Sequence, residues 1–172
     1  MNLKYTLAAL LIASSASTAM AATVATQKFT VTVPANISIV APANVSLTHD
    51  ETETDQVFPA QQWVVRGNTL AGVNVSISTG SAFQHTFDAN SKRDAKVDLA
   101  VNSSTGPAAW TVTQATDTTD YTLGDGVATV QVSSDGVGRA DLDVTVSFIT
   151  NGFGTFASGD YETTLTGTIA SN

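Results

Sequence analysis

Apolar and polar residues alternate with a period of two along most of this chain, and turn formers separate the runs. Ile37 and Ile39 alternate, then Val45 and Leu47 beyond the Ala41-Pro42 break. Trp63 and Val65 follow, then Val73, Val75 and Ile77 with Asn74, Ser76 and Ser78 opposite. Val97, Leu99 and Val101 make the next run, Trp110 and Val112 another, and Ala128, Val130 and Val132 lead into the Asp135-Gly136 turn. Leu142, Val144, Val146 and Phe148 come next, with Asp141, Asp143, Thr145 and Ser147 expected to face water. The last run is Tyr161, Thr163, Leu165, Gly167 and Ile169. Successive side chains of a strand point to opposite faces, so each run predicts a strand with one apolar face. A sheet that is wet on one side favours antiparallel pairing. About nine short strands at this spacing predict an all-β sandwich or barrel. No window carries a helical stripe. The polar stretch from Phe87 to Lys96 is expected to be loop, as are Asp50 to Asp55 and Asp117 to Asp120.

The first residues read as a leader and stand apart from the fold. Asn2 to Lys4 give a positive start, Leu7 to Ala13 an apolar stretch, and Ala19-Met20-Ala21 a small-residue cleavage pattern. This predicts a secretory signal peptide over residues 1–21, with cleavage after Ala21. No later run reaches the ~18 consecutive apolar residues of a membrane span, so the expected product is exported and soluble. The remaining 151 residues (172 − 21) suit one domain. Loss of Lys4 leaves six basic and fifteen acidic residues, moving the formal charge from −8 to −9. Acids spread along the chain speak against nucleic acid as a partner and for simple solubility.

Little in the sequence promises chemistry. There is no cysteine, hence no disulfide, no catalytic thiolate and no cysteine zinc ligand. His49 and His85 stand in no nucleophile or metal pattern, and surface positions are expected for both. Asp50, Glu51, Glu53 and Asp55 lack the order and central glycine of an EF-hand loop, and Asp117, Asp120 and Asp125 fail the same test. Four Asn-x-Ser triplets, at Asn36, Asn44, Asn74 and Asn102, are matches that chance supplies in a chain this rich in serine and threonine. No catalytic residue, metal site or cofactor is assigned.

One segment is surplus to the strand pattern. Lys28-Phe29-Thr30-Val31-Thr32-Val33, closed by Pro34, alternates at the head of the expected mature chain. Phe29, Val31 and Val33 would form one apolar edge, with Thr30 and Thr32 on the other. Such a strand either pairs within its own domain or fills a neighbour's sheet.

The order of segments resembles the colonisation-factor (alpha-type) class of chaperone–usher pilin major subunits. In that class a short alternating N-terminal strand precedes a β-branched strand near a proline, as Lys28 to Val33 precede Pro34-Ala35-Asn36-Ile37-Ser38-Ile39-Val40 here. Gln62 to Asn68, leading into Val73 to Ile77, resembles the next strand pair. Gly159-Asp160-Tyr161 to Ile169 is similar to the C-terminal strand, which often opens with Gly-x-Tyr. The resemblance implies an immunoglobulin-like antiparallel β-sandwich that lacks its last strand and is completed by strand donation. It implies residues 22–34 as the donor extension and 35–172 as the pilin domain. Phe29, Val31 and Val33 would be the inserted side chains, and Tyr161, Leu165 and Ile169 would help line the acceptor groove. The implied partners are identical subunits in a homopolymer, a periplasmic chaperone, an outer-membrane usher and a host or surface receptor. The implied destination is a fimbria at the cell surface, reached through the periplasm.

Two rival readings stay open at this stage. A self-contained exported sandwich could bind carbohydrate through Trp63, Trp110, Tyr121 and Tyr161, although alternation turns both tryptophans inward, their usual place in a sandwich. A glycan-cleaving enzyme would need an exposed carboxylate pair, and the sequence singles out none.

Overall fold

The computed structural model describes residues 23–172; the expected leader, its cleavage site and Ala22 lie outside them. The chain divides into two units, Met1–Val33 and Pro34–Asn172. In the first, residues 23–33 form no strand and are exposed throughout.

The second unit is an all-β, antiparallel, immunoglobulin-like sandwich, with no helix among the described residues. Its strands are β1 (Ile37–Val40), β2 (Gln56–Val57), β3 (Gln61–Gly67), β4 (Val73–Thr79), β5 (Phe83–His85), β6 (Lys92–Arg93) and β7 (Ala95–Thr105). There follow β8 (Trp110–Gln114), β9 (Thr116–Thr118), β10 (Thr129–Ser134), β11 (Gly138–Phe148), β12 (Tyr161–Glu162) and β13 (Leu165–Ser171). One sheet runs β1-β3-β11-β7-β9, with β2 also paired to β11. The facing sheet runs β13-β4-β10-β8, and a small third sheet runs β12-β5-β6.

The alternation in the sequence becomes the core. Trp63 and Val65 of β3, Val97 and Leu99 of β7 and Leu142 and Val144 of β11 meet Val73, Val75 and Ile77 of β4 and Val130 and Val132 of β10. Interleaved inner faces of two sheets are how a sandwich buries its apolar surface. A second cluster sits at one end, where Phe83, Ala95 and Phe148 are buried against Phe58, Val146, Phe156 and Tyr161.

The structure departs from the sequence expectations in particular places. Val45 and Leu47 belong to no strand and are exposed; the stretch after Ala41-Pro42 finds no ladder partner. Two segments expected to be loop do pair, Lys92–Arg93 with β5 and Thr116–Thr118 with β7. In β9 the two threonines, β-branched and at home on a pleated surface, complete an edge the sequence pattern did not mark. Ser147 is buried, not wet, because Val57 and Lys96 flank it on both paired strands. The histidines expected at the surface are drawn into the aromatic end. His85 is buried against Tyr161, and His49 stacks on Phe153 with ring centroids 5.1 Å apart.

Candidate functional site

Each side of the sandwich is a place where the two sheets can close or gape. On one side the chain closes it: β8 of one sheet runs through Ala115 into β9 of the other, and Leu99 N–H donates to the Ala115 carbonyl at 2.8 Å. On the other side β13 and β1 are both edge strands, and no ladder joins them. Edge strands present unpaired N–H and C=O groups, which is the chemistry of strand addition.

The inward face along this open side is only partly covered. Leu165, Gly167 and Ile169 point toward the core from β13 but remain half-buried, whereas Val73, Val75 and Ile77 on the adjacent β4 are buried. Ile39 of β1 is likewise half-buried, and Ile37 and Val40 are exposed. Gly167 lets the two sheets approach each other here. A Cβ at that position would lie 2.6 Å from both Ile39 Cδ1 and Trp63 Cζ3. Ile39 and Trp63 therefore pack directly on Gly167, flanked along β13 by Leu165 and Ile169.

Of the acceptor residues expected from the sequence, Leu165 and Ile169 share this face and Tyr161 does not. The closing strand bends at Thr163-Thr164, where Gly80 N–H donates to the Thr164 carbonyl and Thr163 Oγ1 to the Ser81 carbonyl. Beyond the bend Tyr161 pairs with His85 in the small sheet and packs on Phe148 and Phe156. Ile39 and Gly167 were the residues missed. Gly167 was signalled by a glycine standing where the alternation calls for a bulky residue; Ile39 carried no mark that set it apart from other core positions.

Phe29, Val31 and Val33, the expected inserted side chains, are 83%, 87% and 76% exposed. Three large apolar side chains at period two, all bare, leave a segment with an unburied face.

The rival site residues are placed differently. Trp63 is buried at 5% exposure and offers no face to a ligand. Trp110 is half-buried on the core, and Tyr121 accepts a hydrogen bond from Arg93 at 3.2 Å. An open hollow of about 340 Å³ at the Thr163-Thr164 bend is polar-walled, with Gln84, His85, Thr86 and Glu162 but no Trp, Tyr or Phe. Among the described residues no group of three or more His, Asp or Glu side chains is placed to hold a metal ion, and no helix is long and apolar enough to cross a membrane.

Four aspartates have carboxyls held below the ordinary value of 3.8. Asp50 is held chiefly by the Thr52 hydroxyl, Asp88 by that of Ser91 and Asp120 by that of Thr122. Asp141 is held by the Ser103 hydroxyl, then by Arg139, whose Nη2 donates at 2.8 Å, with the Arg66 charge adding to it. The first three serve loop geometry, and the fourth ties β11 to β7. Searches against protein-family models and against curated proteins returned no match for this chain.

Proposed function

We propose that this chain is a non-enzymatic structural subunit of a bacterial surface fimbria, polymerising by donor-strand complementation and supporting adhesion. The observation that carries the reading is a pair: an exposed alternating segment in no strand, and an unpaired β13 edge with a half-covered apolar face. Phe29, Val31 and Val33 repeat every second residue, as do Leu165, Gly167 and Ile169. A strand added beside β13 would therefore present its apolar side chains to that inner face while its main chain extends the ladder. Burying one Phe and two Val contributes on the order of 5–9 kcal/mol before ordering costs. A head-to-tail contact of this kind does not close on itself, so repetition makes a filament.

Export through the periplasm follows from the leader, and with it the need for a chaperone that covers the groove until a sister subunit does. An uncovered apolar edge is an aggregation hazard. The usher and a surface receptor complete the set of partners; no cofactor, metal or nucleic acid is assigned.

The test uses the full mature chain and a F29D/V31D variant. The mature chain should form filaments visible by electron microscopy, and the variant should not. A synthetic peptide of residues 22–33 should then raise the melting temperature of the variant. A mature chain that stays monomeric at high concentration, or a peptide without effect, would overturn the reading.

A further inference from the structure

Asparagine followed by glycine is the pair of neighbours most prone to lose its amide, and this chain has a single such pair, Asn151-Gly152. The reason is chemical. The amide nitrogen of the following residue can attack the asparagine Cγ, and glycine leaves that nitrogen unscreened because it has no Cβ. Asn36, Asn44 and Asn74 precede Ile or Val, and Asn68 precedes Thr; those branched side chains crowd the same nitrogen. Asn102 lies within β7, and its side chain donates to Asp143 Oδ1 at 3.2 Å.

The fold leaves Asn151 open to this reaction. It stands just past β11, exposed, with φ of 39°, and Gly152 continues the turn at φ of 93°. Asparagine is one of the few side chains that tolerates this left-handed region. Among the described residues neither the Asn151 carboxamide nor the Gly152 N–H has a hydrogen-bond partner.

The flanks, by contrast, are tied. Thr150 is fully buried; its N–H donates to Asp55 Oδ1 at 3.0 Å and its hydroxyl to the Thr54 carbonyl at 2.7 Å. Phe153 N–H donates to Glu53 Oε2 at 3.0 Å, while its ring stacks on His49. Thr155 closes the turn onto the Gly152 carbonyl through both its N–H and its hydroxyl. A short reactive turn thus hangs between fixed points.

We propose that Asn151 is a site of spontaneous deamidation, a reaction of the folded chain with water, and that its product loosens the turn that holds Phe153 on His49. Base removes the Gly152 amide proton, the nitrogen bonds to Asn151 Cγ, and ammonia leaves, giving a cyclic imide. Water opens the ring at either carbonyl, restores the N–H and yields aspartate or isoaspartate. The net change is amide plus water to carboxylate plus ammonium, with nothing oxidised or reduced. Either product puts a new negative charge between Thr150 and Phe153, whose amides already bond Asp55 and Glu53, so like charges are brought together. Isoaspartate also routes the main chain through Cβ, adding a carbon between two anchored residues. The chemistry needs only the sandwich and holds whether or not copies assemble.

The test keeps the full mature chain in mildly alkaline buffer, then digests it and maps the peptides by mass spectrometry. The mass gain of amide-to-acid exchange should appear first in the peptide that carries Asn151, ahead of those carrying Asn90 and Asn102, and N151Q should lack it. A gain led by another asparagine, or no gain at Asn151, would overturn the site. A free peptide of residues 147–157 that did react would then assign the protection to the fold. The deamidated fraction, one charge more negative, is separated by ion exchange. Its Phe153 and Thr155 amides should exchange with deuterium faster than in the intact chain, and the His49–Phe153 ring contacts should weaken in NMR spectra. Unchanged exchange and contacts would overturn the loosening.

Discussion

Gly167 shows how much one missing methyl decides. Its position faces Ile39 Cδ1 and Trp63 Cζ3 at distances no Cβ tolerates. The isoleucine tip can rotate away, but the indole ring is buried and cannot. Gly167→Ala should therefore cost about 1–3 kcal/mol, the range of overpacking in a fitted core, read as a lower urea midpoint with unchanged slope. Gly159 is constrained twice, by φ of 143° and by His85 Nε2 lying where a Cβ would go. The four depressed aspartates add a small acid-sensitive contribution to stability. Their folded values lie below the ordinary one, so the stability they contribute is complete above about 3.8 and lost as pH falls through those lower values. Denaturation midpoints should drop below pH 4, and less steeply in D88N/D141N.

At the scale of elements, period two was a sound guide to existence and a poor one to partnership. Strands β3, β4, β7, β8, β10 and β11 stand where alternation put them. Val45 and Leu47 alternate equally well and form nothing, because a strand exists only if an edge is free to receive it. The final run became two strands, since the Thr163-Thr164 bend lies outside what a pattern of apolar residues encodes. The same distinction separates the N-terminal segment from the sandwich. Val31 is 87% exposed, so Val31→Asp should change the stability of the chain's own fold by less than about 0.5 kcal/mol. It should nonetheless abolish filament growth, as counted by light scattering. Loss of fold and assembly together would mean the segment serves its own domain.

Over the whole molecule, charge is distributed by topology more than by sequence. The acids look evenly spread along the chain, yet the strand register gathers most of them at one end, together with Lys92, Arg93 and Lys96, and leaves Arg66 and Arg139 beside Asp141 toward the other. Arg66→Glu removes one of the charges that favour the Asp141 carboxylate, so that carboxyl should titrate at a higher pH than in the unaltered chain, as followed by NMR. An unchanged titration would mean that the Ser103 hydroxyl and Arg139 hold it alone.

Alternation without cysteine or helical stripe was enough to determine antiparallel β-structure of sandwich or barrel type, an apolar core and an alternating segment ahead of it, because side-chain period is a local property of each strand. Which side of the sandwich stays open was not legible. That depends on β8 and β9 closing one side through Ala115 while β1 and β13 touch at Ile39 and Gly167 on the other without forming a ladder. Tyr161 was assigned to the groove and fell to the aromatic end for the same reason. Pairing between residues far apart in the chain is settled by which edges are left when every other strand has a partner, and only the folded molecule contains that remainder.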